Sequence, residues 1–391
     1  MALRNESLIE EIGEDLDHLV ALRRDLHANP EIGLEEVRTS EIVARELAGL
    51  GFQVHRGLAK TGVVGTLKLG SSSRTLGLRA DIDALPILET TNLPYASKIA
   101  GKMHACGHDG HTTMLLGAAR QIARRRNFDG TLHLIFQPAE ENFGGARIMI
   151  EDGLFEKFPC DAVFGAHNEP GMPLGQFGFR EGPLMAAAVQ IDITIHGKGG
   201  HGAMPEQTVD PIVVGASLVM ALQTVVSRNI SAHTPAVVTV GCLRAGLASN
   251  VIPDTAFLEL SVRHFDNDTG ALLHRRIEEL ARFQALSFGA TAEVVISNGY
   301  PVTVNEPKST RFAREAAVAL LGEPNVCEIE KPYLGSEDFS FMLEKVPGSY
   351  LMMGNGDSAA LHNPSYNFND AAIAPGAAYW TTLAERFLKV G

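Results

Sequence analysis

Residues 104–141 read HACGHDGHTTMLLGAARQIARRRNFDGTLHLIFQPAEE. His104, Cys106, His108, Asp109 and His111 place three imidazoles, a thiol and a carboxylate within eight residues. These side chains bind zinc, manganese, nickel or cobalt, and the small Ala and Gly spacers let the backbone fold tightly around an ion. Residues 108–126 then read as a helix, with Asp109 near its start. Residues 131–137 read as a strand, and Glu140 and Glu141 follow it directly. Helix feeding strand, with acids where the strand stops, points to an α/β sheet whose open edge carries a site.

The alternation extends both ways. Residues 6–27 carry Leu8, Ile9, Ile12, Leu16, Leu19, Val20 and Leu26 at helical spacing, and a second helix covers 34–50. Strands are expected at 62–69, 75–80 and 161–167, with Ser71-Ser72-Ser73 as a hairpin turn. Near Gly182-Pro183 the pattern changes. Strand 187–196, helix 207–230, strands 236–245 and 254–263, helix 268–285 and strand 290–297 follow, with Asp210-Pro211 at a helix start. That β-α-β-β-α-β order is ferredoxin-like. After Gly299-Tyr300-Pro301 the chain returns to the first domain, with helices at 307–321 and 370–389. The expected fold is therefore a mixed α/β sheet with helices on both faces, split into 1–182 and 299–391, around an inserted α+β domain at 183–298.

A chain of 391 residues exceeds what one core usually serves. Hydrophobic residues are 45% and charged residues 20%, as in ordinary globular domains. A net charge of −13 argues against nucleic acid as a main partner, since phosphate neutralisation needs a basic face. It leaves room for a small anionic substrate, because local field and net charge differ. The four cysteines are scattered and one lies in the donor-rich loop, so a reducing cytoplasm is expected rather than a disulfide framework. The first twenty residues are acidic and amphipathic without a leader's apolar core, and no run is read as a membrane span of ~20 residues.

Five places carry candidate chemistry: Arg79-Ala80-Asp81-Ile82-Asp83, Cys106–His111, Gln137–Glu141, Gly165-Ala166-His167-Asn168 and Leu361-His362-Asn363-Pro364. Two carboxylates side by side repel unless a cation reverses the sign. Adjacent Glu140 and Glu141 point apart, so one can bind metal while the other takes a proton, as metal-centred hydrolysis requires. Each candidate has a plainer competitor. His104 could simply shape its loop, His111 suits packing, His133 alternates within a strand, and the glutamates could form a solvated turn. His167 and His362 are weak when taken alone.

MHACGHDGH, QPAEE, GAHN, GKGGHGAMP, ASNVIP and GSEDF occur in this order. Together they resemble the co-catalytic metallohydrolases that include hippurate hydrolase, aminoacylases and indoleacetyl-amino-acid hydrolases, with carboxypeptidase G and succinyl-diaminopimelate desuccinylase as distant relatives. The resemblance runs from about residue 20 to the C-terminus. It implies two divalent ions (Zn, Mn, Ni or Co), with Cys106 bridging and His108, Glu141, His167 and His362 completing the set. It implies Glu140 as general base, and His201 as an oxyanion donor from a lid that often reaches a neighbouring subunit. Asn250 and Arg263 would hold the substrate carboxylate. Distant members have His-x-Asp where this chain has Arg79-Ala80-Asp81. Arginine has no lone pair for a metal, so His108 takes over the ligand role, and Asp81, or Asp83 in competition, orients it.

The expected activity is amide hydrolysis of N-acyl amino acids by a shared hydroxide and a glutamate base, in a homodimer or homotetramer without membrane or nucleic-acid partners. The rivals are a deacetylase for N-acetyl-diaminopimelate or N-acetylcysteine, an exopeptidase or dipeptidase, a non-catalytic metal-dependent binding protein, and a structural zinc site. One cysteine among mixed donors argues against the last.

Overall fold

The structure, a computed structural model, describes residues 6–297 and 299–390. The start of the stretch read for a leader and the expected boundary at 298 fall outside these residues. The chain forms two compact units: one runs through Leu184 and includes Val304–Lys331 and the chain from Asp338, while the other comprises Met185–Thr303 and Pro332–Glu337. Each has its own buried apolar cluster. Segment 332–337, read with the returning chain, thus groups with the inserted unit.

The larger unit is built on an eight-stranded mixed sheet in the order Gln53–Leu58, Gly62–Leu69, Gly130–Gln137, Thr75–Asp81, Ala162–Pro170, Gly348–Gly356, Phe177–Phe179, Val326–Glu328. Its four central strands are mutually parallel, so their carboxyl ends come out on one edge. These strands are buried almost throughout, as parallel strands covered on both faces must be. Helices Leu16–Ala28, His108–Arg125 and Ile373–Phe387 pack on one another against the sheet.

Three expectations need correction. Residues 6–27 form two helices, Glu6–Gly13 and Leu16–Ala28. Glycine costs about 1 kcal/mol in a helix interior, and the Asp15 carboxylate at the break pairs with Arg124 at 2.6 Å. Ser71–Ser73 does not close a hairpin, because Gly130–Gln137 lies between the two strands that the turn connects. The turn is held instead by Asp129, whose Oδ1 accepts from the Ser71 and Ser72 amides at 2.7 Å. Helix Pro211–Asn229 is, by length and composition alone, apolar enough to cross a membrane. It nevertheless buries Val214, Leu218, Leu222 and Val225 in the inserted unit's own core.

That inserted unit holds an antiparallel four-stranded sheet in the order Ala236–Ala245, Thr255–His264, Ala187–His196, Thr291–Ile296, with Pro211–Asn229 and Asn267–Ser287 as its two helices. Strand sequence and spatial order are those of the ferredoxin-like expectation. Asp210 begins the first helix by accepting from the Ile212 amide, with Pro211 at the first turn.

Replacing Asp129 by Ala leaves two turn amides without their charged acceptor. The expected outcome is a loss of about 2 kcal/mol, read as a lower urea midpoint. An unchanged midpoint would mean that water serves those amides equally well.

Candidate metal centre

Four adjacent parallel strands end together, and each delivers part of one site. Thr75–Asp81 ends at Asp81, with Asp83 just beyond; Gly130–Gln137 leads into Glu140 and Glu141. Ala162–Pro170 carries His167, and Gly348–Gly356 leads into the loop with His362. Helix His108–Arg125 points its N-terminus at the same place, after Gly107 at φ 96°. A Cβ on Gly107 would lie 2.2 Å from Asn168 Oδ1, so only glycine fits there. The helix start places positive dipole beside Cys106, which partly offsets the burial and acidic neighbours that keep its thiol protonated.

The donor atoms of Cys106, His108 and His167 all lie within 4.8 Å of one another, as do those of Cys106, Glu141 and His362. Cys106 is common to both groups. Cys106 Sγ is 3.3 Å from His167 Nε2, and Glu141 Oε1 is 3.4 Å from His362 Nε2. His108 Nε2 and Glu141 Oε1 are buried without a hydrogen-bond partner, 3.8 Å apart. Buried polar atoms are seldom left so, and a cation between them would satisfy both. The donor set of thiol, imidazole and carboxylate suits zinc or manganese-type ions. His362 is the exposed member, its side chain 52% accessible against 8% for Glu141. Its backbone sits at φ 63°, and its amide donates to Ala105 O at 2.8 Å.

Behind the donors is a second layer of contacts. Asp83 carries more of it than the sequence suggested. His108 Nδ1 lies 2.9 Å from Asp83 O and 3.2 Å from Asp83 Oδ1, while Asp83 Oδ2 accepts from the Glu141 amide. One aspartate thus aims the His108 Nε2 lone pair and fixes the neighbouring glutamate. Asp81 is 3.8 Å from His108 Nε2 and 2.6 Å from His111 Nδ1, and it accepts from Arg79 Nη1 at 2.7 Å. His111 Nε2 is 2.6 Å from Asn168 Oδ1, so both of its nitrogens are taken by protein and it is no ligand. Arg79 also reaches Gln137 and Asp338, and Asp338 in turn accepts from Gln137 and the Ala146 amide. Sequence reasoning missed Asn168, Gln137 and Asp338 as supports, although all three fall inside or beside the motifs quoted above. His104, among the described residues, stands outside these donor groups; burial lowers its pKa to about 4.

The crowded donors shift one another's proton affinities. Burial lowers His108, but Asp81, Asp83 and Glu141 outweigh it and raise its pKa to about 10. Burial, with Glu141 and Glu140 nearby, pushes the Cys106 thiol well up. Burial and the charge of His111 hold His167 well down. For Asp81 burial acts upward, yet His108, Arg79 and His111 keep it well below the usual carboxylate range.

The remaining candidates belong to the inserted unit. His201 is exposed, in a two-residue strand paired with Val251–Ile252, and its Nδ1 accepts from the Ala203 amide. Asn250 is exposed next to it and accepts from the Gly202 amide. Arg263 lies half-buried on strand Thr255–His264, with Nη1 buried and unpartnered and its pKa lowered by burial. A guanidinium in that state favours an anionic partner.

Comparison with known proteins is consistent with this geometry. The profile described as Peptidase family M20/M25/M40 matches residues 77–386. A hippurate hydrolase of Campylobacter jejuni is 45% identical over 98% of this chain and 100% of its own length. An N-acetylcysteine deacetylase of Bacillus subtilis is 40% identical over 94% of this chain and 96% of its own. Among solved structures, a Bacillus subtilis protein described as a dinuclear metal-binding peptidase of family M20 superposes with a TM-score of 0.85 at 34% identity, covering 97% of this chain and 99% of its own.

At neutral pH the metal-free centre holds protons on His108 and Cys106, and a cation must displace them. Metal affinity should therefore rise with pH up to at least about 10, where His108 gives up its proton, with net proton release. Calorimetry in buffers of different ionisation enthalpy measures this; binding without proton release would contradict the assigned donors.

Proposed function

Because the chain belongs to peptidase family M20/M25/M40, we propose that it is a metal-dependent amidohydrolase that cleaves N-acyl amino acids to a carboxylic acid and a free amino acid. The observation carrying this reading is the sharing of Cys106 between two donor groups, with Glu140 beside them. His108, Glu140 and Glu141 also bring their donor atoms within 4.8 Å of one another. The residues fit two divalent ions: Cys106 held in common, with His108 and His167 on one side and Glu141 and His362 on the other.

When bound, such ions polarise the substrate carbonyl and acidify water. Glu140 takes the proton from the attacking water and delivers it to the departing amine, so one carboxylate serves both half-reactions. Asp83 holds His108 and Glu141 in register through this transfer. His201 donates to the oxygen on which charge develops, and Asn250 and Arg263 pair with the carboxylate of the amino-acid half, for which the forked guanidinium is suited. We assign the inserted unit the roles of lid and subunit contact in a homodimer or homotetramer. Its outermost strands, Ala236–Ala245 and Thr291–Ile296, leave sheet edges available for pairing. All four cysteines are free, which fits a reducing cytoplasm.

Glu140→Gln should retain both metal equivalents and lose turnover by about 10²- to 10⁴-fold; near-normal turnover would remove Glu140 as the base. His201→Ala should lower turnover by about 10²-fold with metal content unchanged, and parallel loss of both would make His201 structural. Rates on N-benzoylglycine, N-acetylcysteine and a dipeptide identify the acyl group. Preference for the dipeptide would replace the acylase reading with a peptidase.

A further inference from the structure

Glu36 is fully buried at the start of helix Val37–Gly49, outside every motif quoted above. A glutamate there would ordinarily cap its own helix. That task is already done by Glu31, which accepts from the Arg38 and Thr39 amides at 3.0 and 2.8 Å. The Glu36 side chain turns inward instead. Its Oε1 accepts from the Ala139 amide at 2.9 Å and its Oε2 from Thr61 Oγ1 at 2.7 Å. Ala139 immediately precedes the general base and adopts φ 54°, a left-handed conformation that costs a side-chain-bearing residue about 1–2 kcal/mol. Such strain persists only where the surroundings over-determine it.

Here they do so from three sides. Glu36 holds the Ala139 amide, the Gly145 amide donates to Ala139 O at 3.0 Å, and Gly33 comes so near that an added Cβ would sit 3.0 Å from Ala139 Cβ. The left-handed turn at Ala139 immediately precedes Glu140 and Glu141, whose carboxylate oxygens lie with His108 within 4.8 Å of one another, so the turn sets how both acids enter the site. Burying a carboxylate for an amide and a hydroxyl is a poor way to gain stability, and burial with Asp83 nearby raises the Glu36 pKa to about 7.

We propose that Glu36 is a positioning residue for the reaction: by clamping the strained Ala139 turn through its amide, it fixes the direction in which Glu140 meets the attacking water. The assignment rests on the acylase reading above, and it concerns turnover rather than metal binding or substrate affinity. Asp83 secures Glu141 on the far side of the same turn, so the ligand keeps its place when Glu36 is lost.

The test compares wild type, Glu36→Ala, Glu36→Gln and Thr61→Val, all reconstituted with zinc or manganese, for kcat, KM and metal equivalents on the best substrate of the panel. Glu36→Ala should lose about 10- to 100-fold in kcat, with KM within about twofold and two metal equivalents retained. Glu36→Gln keeps an acceptor for the Ala139 amide and should retain about half of the wild-type kcat or more. Thr61→Val, which keeps side-chain volume if Glu36→Ala does not fold, should lose about fivefold. Wild-type kcat in Glu36→Ala or, where that variant does not fold, in Thr61→Val overturns the proposal. So does a loss that follows metal content, or a Gln variant as slow as the Ala variant. A wild-type protein that binds metal but hydrolyses none of the panel overturns the acylase reading and this inference together, whereas active wild type with unaffected variants overturns this inference alone.

Discussion

Lone pairs and negative charge crowd the carboxyl edge of the central sheet, and the rest of the larger unit is arranged so that this crowding can exist. A thiol, three imidazoles and two glutamates approach within a few ångströms, which costs energy in a buried setting unless positive charge compensates. The parallel run of four strands is what makes the crowding possible, because parallel strands deliver their ends to one edge while antiparallel neighbours would scatter them. The helix start behind Cys106 adds positive dipole at the same point.

Arg79 shows how that constraint spreads into the core. It is 1% exposed, and it sits between Asp81, Asp338 and the Gln137 amide oxygen. A residue that cannot ligate metal has become the fixed cation of the supporting layer. After His108, and together with His111, it holds the Asp81 carboxyl well below the usual range, and Asp81 in turn holds His111, which steadies Asn168 next to His167. These side chains form one continuous chain of hydrogen bonds under the donors. Such networks gain from full satisfaction and lose heavily when one member is removed.

Much of this was legible in the sequence, and for identifiable reasons. Period-3.6 and period-2 patterns expose helices such as His108–Arg125 and strands such as Ala187–His196, since one face of each must be apolar. Cys106, His108 and Glu141 stand out because their chemistry is rare at strand ends, whereas His167 and His362 are weak alone and enter the donor set only through the resemblance. The central strand Gly348–Gly356 was not found, although it lies between two others in the sheet. Its apolar run Tyr350–Met353 is short and shows no alternation, because both faces are covered. The role of Asp83 was visible only as a competition with Asp81, since two carboxylates two residues apart on an extended segment look alike until the fold shows what each touches. Glu36 left no signal at all: its partners are backbone at Ala139 and a threonine hydroxyl, neither of which marks a sequence.

The half-exposed His362 makes the two halves of the donor set unequal. Cys106, His108 and His167 are at most 7% exposed and are held by packed side chains. Water reaches the imidazole of His362 directly. It can trade partners with solvent while the sheet stays intact. One member of the donor set thus moves on the timescale of surface side chains while its partners move only with the scaffold beneath.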